Sequence, residues 1–339
     1  MASKSKPAAR TASAQPSQGT RSKRVPNRKG SVRALAFSPC GMMLASGGKD
    51  AAIRVWQSST GEQLCVEKER IPLHTVDHLA FGPGWAEIAI IQSHGGIGRD
   101  YTELGIWNAV TREYRHCFKV DDVGEPSVSP TGRALAFGGQ GLFWFAPPFR
   151  TEGEFPHTGR CNAVAFSADG SLLATASDKQ VELYQVETQK RVANWRTEGM
   201  IPRSLAFLPD PDRTAIAIGG SDGSVRIWNK KNVTAPWTGE PLPAVKIVAI
   251  GGGRVVSIHR NEESDRWSLQ LVSVASAARL ATHAFADGIS AVAVSPDGSY
   301  VATGSDTGKV TIAPCESLLP GARPRRLAKP MPLDHDDEI

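Results

Sequence analysis

A stretch of 27 residues, Gly30 to Trp56, constrains the fold most, because much of the remaining chain repeats it. It contains three short apolar runs, Val32 to Phe37, Met42 to Ser46 and Ile53 to Trp56, separated by turn-forming Ser-Pro-Cys-Gly and Gly-Gly-Lys-Asp. Short apolar runs bounded by turn residues are typical of strands joined by hairpins. The stretch therefore predicts a three-stranded antiparallel meander.

The end of the first predicted strand recurs seven times as a small residue followed by an aromatic or aliphatic one. The seven pairs are Ala36-Phe37, Ala80-Phe81, Ser127-Val128, Ala165-Phe166, Ala206-Phe207, Ala249-Ile250 and Ala293-Val294. The end of the third strand recurs in step, at Val55-Trp56, Ile106-Trp107, Trp144-Phe145, Leu183-Tyr184, Ile227-Trp228, Leu271-Val272 and Ile312-Ala313. A period of roughly 40 to 45 residues with several strands in each unit is the signature of propeller blades.

These repeats resemble the WD-repeat β-propellers over Gly30 to Ala313. Asp50, Asp178 and Asp222 stand at the turn position of that family, six residues before Trp56, Tyr184 and Trp228. No copy has Asp after its Trp. The resemblance implies an all-β fold, a seven-bladed β-propeller of four-stranded antiparallel blades. It also implies that the hydrogen-bonded network of the family is partial here and that blades two, three and six are the least regular.

The charge of the chain is concentrated at its start. Residues 1–29 carry eight Lys or Arg and no acid, whereas the remainder has a net charge of −3. We therefore expect three segments: a disordered basic tail at 1–29, a propeller at 30–333 and an acidic end at 334–339. The 40% apolar content is enough for one large core.

The basic tail has three interpretations. It is a solvated extension, an arm that binds nucleic acid or another anion, or an organelle transit peptide. A secretory signal is excluded because the tail lacks an apolar core, and no apolar run approaches the length of a membrane span. The five scattered Cys predict free thiols and a cytoplasmic location, with nucleus or organelle as the alternatives.

A propeller must also close its ring, because an unpaired last blade would expose a strand edge. Either residues 21–25 or residues 325–333 could supply the last outer strand. The C-terminal segment is favoured because it has more apolar residues. Its Pro330 and Pro332 are tolerable on an edge strand.

The sequence contains no constellation that carries chemistry. His74 and His78 precede or enter a strand, where their spacing does not place both on one face, and the Gly95–Gly98 run precedes no helix. We expect no catalytic residue, no metal and no cofactor. The alternative from a different class is an enzyme with a metal in the axial channel. It is disfavoured because the starts of the first strands supply only Asp77 and no His as metal ligands.

The resemblance places the starts of the first strands and the turns between second and third strands on one face of the disc. The two longest inserts, 92–102 and 259–266, are expected there. The candidate partner-binding residues on this face are Arg33, Asp77, Tyr101, Asn162, Arg203, Lys246 and Ser290.

Together these features predict a non-catalytic scaffold that docks protein or peptide partners on one face of the propeller. The three cations among the candidates would pair with carboxylates of the partner, and Tyr101 would be an amphipathic anchor. The alternative is an adaptor that binds nucleic acid or another anion through the basic tail.

Overall fold

In the computed structural model, the structure describes eighteen segments of the chain. They are residues 23–26, 30–67, 75–82, 86–94, 101–120, 126–131, 134–139, 143–146, 150–154, 160–197, 199–208, 214–229, 237–238, 244–250, 253–261, 266–276, 279–285 and 288–318. Almost all of the regular structure in them is strand, and the one helix is a 3₁₀ turn at Cys315–Leu318. No described helix is long and apolar enough to cross a membrane.

The strands form seven four-stranded antiparallel sheets, which are the blades. Blade one consists of β2 (Val32–Phe37), β3 (Met43–Gly48), β4 (Ile53–Gln57) and β5 (Gln63–Glu67). Blade two consists of β6 (Thr75–Phe81), β7 (Glu87–His94), β8 (Tyr101–Asn108) and β9 (Tyr114–Val120). Blade three consists of β10 (Ser127–Val128), β11 (Leu135–Phe137), β12 (Phe143–Ala146) and β13 (Arg150–Glu154). Blade four consists of β14 (Cys161–Phe166), β15 (Leu172–Ser177), β16 (Gln180–Gln185) and β17 (Arg191–Arg196).

The second half of the disc repeats this arrangement until the last blade. Blade five consists of β18 (Pro202–Phe207), β19 (Ile216–Gly220), β20 (Ser224–Trp228) and β21 (Trp237–Thr238). Blade six consists of β22 (Ala244–Ile250), β23 (Arg254–Asn261), β24 (Arg266–Ser273) and β25 (Arg279–Phe285). Blade seven consists of β26 (Ile289–Val294), β27 (Tyr300–Ser305), β28 (Lys309–Pro314) and an outer strand from the other end of the chain, β1 (Lys23–Pro26).

The core is divided into seven clusters, one between each pair of neighbouring blades. Trp107 of blade two packs against the apolar side chains of blade one. Trp56 and Leu44 of blade one pack against Ala293 and Ile312 of blade seven. Equivalent clusters join blades two to three, three to four, four to five, five to six and six to seven. The innermost strands contact one another in the same order, including β2 with β26. The seven-bladed ring predicted from the repeats is therefore confirmed.

Close packing between blades depends on small residues in the second strands. A Cβ at Gly47 would lie 2.5 Å from Cγ1 of Val76 in the next blade. The equivalent Gly304 of blade seven would place a Cβ 2.4 Å from Cγ1 of Val32. The repetition of this contact from blade seven to blade one shows that the two ends of the repeat array meet as neighbouring blades do.

The closing strand comes from the N-terminus, so the preference for 325–333 was wrong. Residues 23–26 form β1, which pairs antiparallel with β28 from Lys23 opposite Ile312 to Pro26 opposite Lys309. Residues 23–26 are therefore part of the propeller and not of a disordered tail. Backbone groups make this pairing, so low apolar content does not prevent it, and Pro26 is acceptable on an edge. Residues 1–22 and 319–339 lie outside the described residues.

Blades two and six are more regular than expected. Much of each predicted insert continues the strands, because β7 and β8 pair over eight residues, and β23 and β24 do the same. Residues 95–100 and 262–265, at the ends of these long hairpins, lie outside the described residues. Blade three is short as expected, since β10 and β11 contain only two and three residues.

Candidate functional site

The candidate site is built on a register shift near the start of the innermost strands. A bulge of this kind bends the strand and redirects one side chain. The residues at the shift are Arg33, Asp77, Asn162, Arg203, Val245 and Ser290. Five of them are candidates from the sequence. In blade six the candidate Lys246 pairs with Ile258, and its neighbour Val245 occupies the shift.

Arg33 and Asp77 meet across the boundary between blades one and two. The guanidinium Nη1 of Arg33 lies 3.6 Å from Oδ1 of Asp77. The Arg33 side chain is 46% exposed and that of Asp77 is 17% exposed, so solvent screens the pair on one side. The hydroxyl of Ser93, at the end of β7, donates to the other carboxylate oxygen of Asp77. Asp77 is thus held by two neighbours, whereas Arg33 has a single long contact with it.

Asn162 and Ser290 connect blades through their side chains. The Asn162 amide donates to Oδ1 of Asp178 at 2.8 Å and to the carbonyl of Pro202, in the next blade, at 3.3 Å. The Ser290 hydroxyl donates to the carbonyl of Val32 in blade one. In both cases the acceptor immediately precedes the shift residue of the following blade. These two candidates therefore have a structural role, and a role in partner binding stays a prediction for them.

For the remaining candidates, Arg203, Tyr101 and Lys246, the structure describes the side chain of Arg203 alone. Arg203 is exposed at the start of β18. Tyr101 begins β8 and Lys246 lies in β22, but their side chains are outside what the structure describes.

A pocket of about 370 Å³ lies where blades seven, one and two meet. It is lined by Ser31, Arg33, Lys49, Asp77, His78, Ile91, Ser93, Thr102, Ser290 and Asp306. Starts of the innermost strands and turns between second and third strands both contribute, so they share one side of the disc, which we call the upper face. The pocket brings together three sequence candidates, Arg33, Asp77 and Ser290.

Sequence reasoning missed Lys49 and Asp306 in this pocket. Lys49 is exposed in the turn after β3, where its amide donates to the carbonyl of Ser31. Asp306 is in the equivalent turn of blade seven, and its Oδ1 accepts a hydrogen bond of 3.0 Å from the Ser31 hydroxyl. Both turns had been assigned to this face, so their charged residues could have been included.

The turn aspartates support this face in different ways. In blade one Asp50 forms an ion pair of 2.7 Å with Arg54, and both side chains are largely buried. In blade five burial raises the pKa of Asp222, but bonds from the Ser224 hydroxyl and amide, together with Arg226, leave that pKa below its ordinary value. The ionised form of Asp222 is therefore the one that orders its turn.

The hydrogen-bonded network of the repeats is partial, as expected. The Trp56 indole donates to the hydroxyl of Ser46 at 2.8 Å inside blade one. Trp107 occupies the same position in blade two, but Ile90 stands where blade one has Ser46. The Trp107 indole N–H is buried and has no hydrogen-bond partner among the described residues. Blade two therefore depends on packing alone at this point.

The described residues contain no group of three or more His, Cys, Asp or Glu placed to hold a metal ion. His78 lines the pocket, and His74 lies outside the described residues. Cys40, Cys65 and Cys161 are free thiols. Burial raises the pKa of Cys161 to about 12, so this thiol stays protonated.

Seven antiparallel four-stranded blades around a ring define the protein as a β-propeller. The WD domain, G-beta repeat family (WD40) matches residues 20–57, 150–185, 194–229 and 275–312. The first of these matches includes the closing strand β1. Four stretches of the chain, in blades one, three to four, four to five and six to seven, therefore match the WD repeat.

The chain is similar in sequence to two groups of proteins. The chain is 26% identical to WD repeat-containing protein 1 of Gallus gallus over 206 residues, which is 57% of this chain and 32% of that protein. It is 56% identical over 120 residues to ribosome biogenesis protein ERB1 of Coccidioides immitis, covering 35% of this chain and 14% of that protein. The chain spans about a third of the length of the first group of relatives.

Proposed function

We propose that this protein is a non-catalytic scaffold that docks a protein or peptide partner on the upper face of its propeller. The observation that carries the proposal is the pocket on that face, where residues from three blades converge. WD-repeat proteins generally act as interaction scaffolds without catalysis, which supports the proposal. A ring of packed blades holds distant loops in place before binding, and this lowers the entropy cost of association.

The cations of the upper face are the proposed contacts to the partner. Arg33 and Arg203 are exposed at shifts of the innermost strands, and Lys246 lies next to such a shift. A guanidinium binds a carboxylate through two parallel hydrogen bonds, so acidic segments suit these positions. We keep Tyr101 as the proposed amphipathic anchor.

Charge reversal tests this proposal. Arg33, Arg203 and Lys246 are changed to Glu together, and affinity purification compares the captured proteins with those of the wild type. We expect loss of the partners that bind through the upper face. The matched control reverses three exposed cations on outer strands or their hairpins, Lys190, Arg196 and Arg279. An unchanged set of partners with the first variant would reject the docking face.

A second candidate function is contact with nucleic acid through the basic tail. The similarity to proteins named for ribosome biogenesis favours it, as does the cationic composition of residues 1–22. Binding of this kind weakens steeply as salt rises. Filter binding of RNA between 50 and 200 mM salt therefore tests it, with a chain lacking residues 1–22 as the comparison. Equal binding by both chains would exclude the tail.

The two functions imply different locations. A scaffold without a role for the tail suits the cytoplasm, whereas contact with nucleic acid suits the nucleus. Fluorescence microscopy of the tagged chain, with and without residues 1–22, distinguishes them. A fully cytoplasmic signal in both cases would count against the nuclear alternative.

A further inference from the structure

The charged groups of the pocket differ in how far their hydrogen-bonding capacity is used. Both carboxylates are engaged, since Asp77 accepts from Ser93 and Asp306 accepts from Ser31. Lys49 forms no ion pair within the described part of the chain. The ammonium of Lys49 therefore leaves spare donors at the pocket.

Arg33 adds to this spare capacity. Its contact with Asp77 measures 3.6 Å, whereas charge-assisted hydrogen bonds from a guanidinium measure about 2.7–2.9 Å. A guanidinium offers five N–H donors, so most of those on Arg33 face solvent or the pocket. Together with the ammonium of Lys49, it forms a pair of cations at the pocket, which we call the Arg33–Lys49 pair.

We propose that the Arg33–Lys49 pair binds a side-chain carboxylate of the docked partner, and that Asp77 competes with this carboxylate for Arg33. The inference rests on the proposed docking function and names its anchor. The volume of about 370 Å³ is at the small end of ligand pockets, which suits one acidic side chain of an extended peptide. Binding would replace the long Arg33–Asp77 contact with a shorter one to the partner.

Charge balance favours a carboxylate over a phosphate. Two cations and two carboxylates line the pocket, so its formal charge is zero if His78 is neutral. A carboxylate brings one negative charge, whereas a phosphate monoester brings between about 1.5 and 2 at neutral pH. The additional negative charge would be repelled more strongly by the carboxylates of Asp77 and Asp306, which also line the pocket.

Peptide binding tests the inference directly. The probe is a fluorescein-labelled decapeptide of Gly and Ser with three Glu, and anisotropy gives its Kd for the full chain. Two matched peptides replace the Glu residues with Gln or with phosphoserine. We expect the Glu peptide to bind more tightly than both. Tighter binding of the phosphoserine peptide than of the Glu peptide would overturn the assignment of a carboxylate.

Three variants place the binding in the pocket. Lys49→Gln and Arg33→Gln should each weaken binding of the Glu peptide by about five- to tenfold, the loss expected for one hydrogen bond that solvent screens. Asp77→Asn should strengthen it by severalfold, because the competitor for Arg33 loses its charge while Ser93 keeps a partner. The control Lys179→Gln changes an exposed lysine in the equivalent turn of blade four and should alter Kd less than twofold.

The sign of the Asp77 effect separates binding from folding. A purely structural Asp77 would make Asp77→Asn weaken binding and lower the thermal midpoint, and that result contradicts the inference. Equal losses from Lys49→Gln and Lys179→Gln would show nonspecific attraction and also contradict it. If these variants bind the peptide normally while reversal of the three upper-face cations abolishes partner capture, the docking face stands and the carboxylate anchor fails.

Discussion

Removal of the closing strand is the perturbation with the largest expected effect on stability. Four residue pairs join β1 to β28. They supply about two to four backbone hydrogen bonds, because an antiparallel ladder bonds alternate pairs twice and Pro26 has no N–H. At about 1 kcal/mol net for each bond, deletion of residues 1–26 should cost about 2–4 kcal/mol. For a domain of this size the thermal midpoint should fall by roughly 4–8 °C.

The control is a chain that begins at residue 23, which loses four positive charges but keeps β1. Differential scanning calorimetry should give it nearly the midpoint of the full chain. A second variant, Arg24→Pro with Val25→Pro, keeps the length and removes the donors of β1 on both sides. It should resemble the longer deletion. Equal midpoints for the chains beginning at residues 23 and 27 would refute closure by the N-terminal strand.

Two further predictions concern single side chains. Trp56→Phe should destabilise the protein by about 1 kcal/mol more than Trp107→Phe, because only Trp56 donates a buried hydrogen bond to a described partner, and urea unfolding measures both. Burial raises the pKa of Asp297, but bonds from Ser295 and Ser299 outweigh burial and hold that pKa below 3.8. The resulting stability is present above the unfolded pKa and is lost as pH falls through the folded one. In Asp297→Asn the free energy of unfolding should therefore depend less steeply on pH below about pH 4 than in the wild type. An unchanged pH dependence in that range would contradict this.

The blades were predictable because each is specified by its own stretch of sequence. Val32–Phe37 begins and ends as the apolar run predicted, and Ile53 begins β4 as expected. A count of four residues back from the end of the first strand, as from Phe37 to Arg33, gives five of the shift residues. In blade six the same count gives Lys246, next to the shift residue Val245, because β22 has one more residue between the shift and its end at Ile250.

Contacts between blades were not predictable in the same way. Ser290 and its acceptor in Val32 are 258 residues apart in the chain, and no local pattern links them. The exposed turn residue Lys49 joins the pocket only because blade one stands between blades seven and two. The closing strand was assigned to the wrong end because apolar content was the criterion, whereas an edge pairing depends on backbone groups that every sequence has.

The pocket and the closing strand are physically connected through blade seven. Asp306 and Ser290 of that blade form one wall of the pocket, and each contacts blade one, through Ser31 and Val32. The outer strand of the same blade is β1, which comes from the opposite end of the chain. Loss of β1 would expose the edge of β28 and loosen the wall without changing any lining residue. Blade seven therefore contributes both to the stability of the ring and to the pocket on the upper face. Truncations that test the tail must stop before Lys23, so that they leave this blade intact.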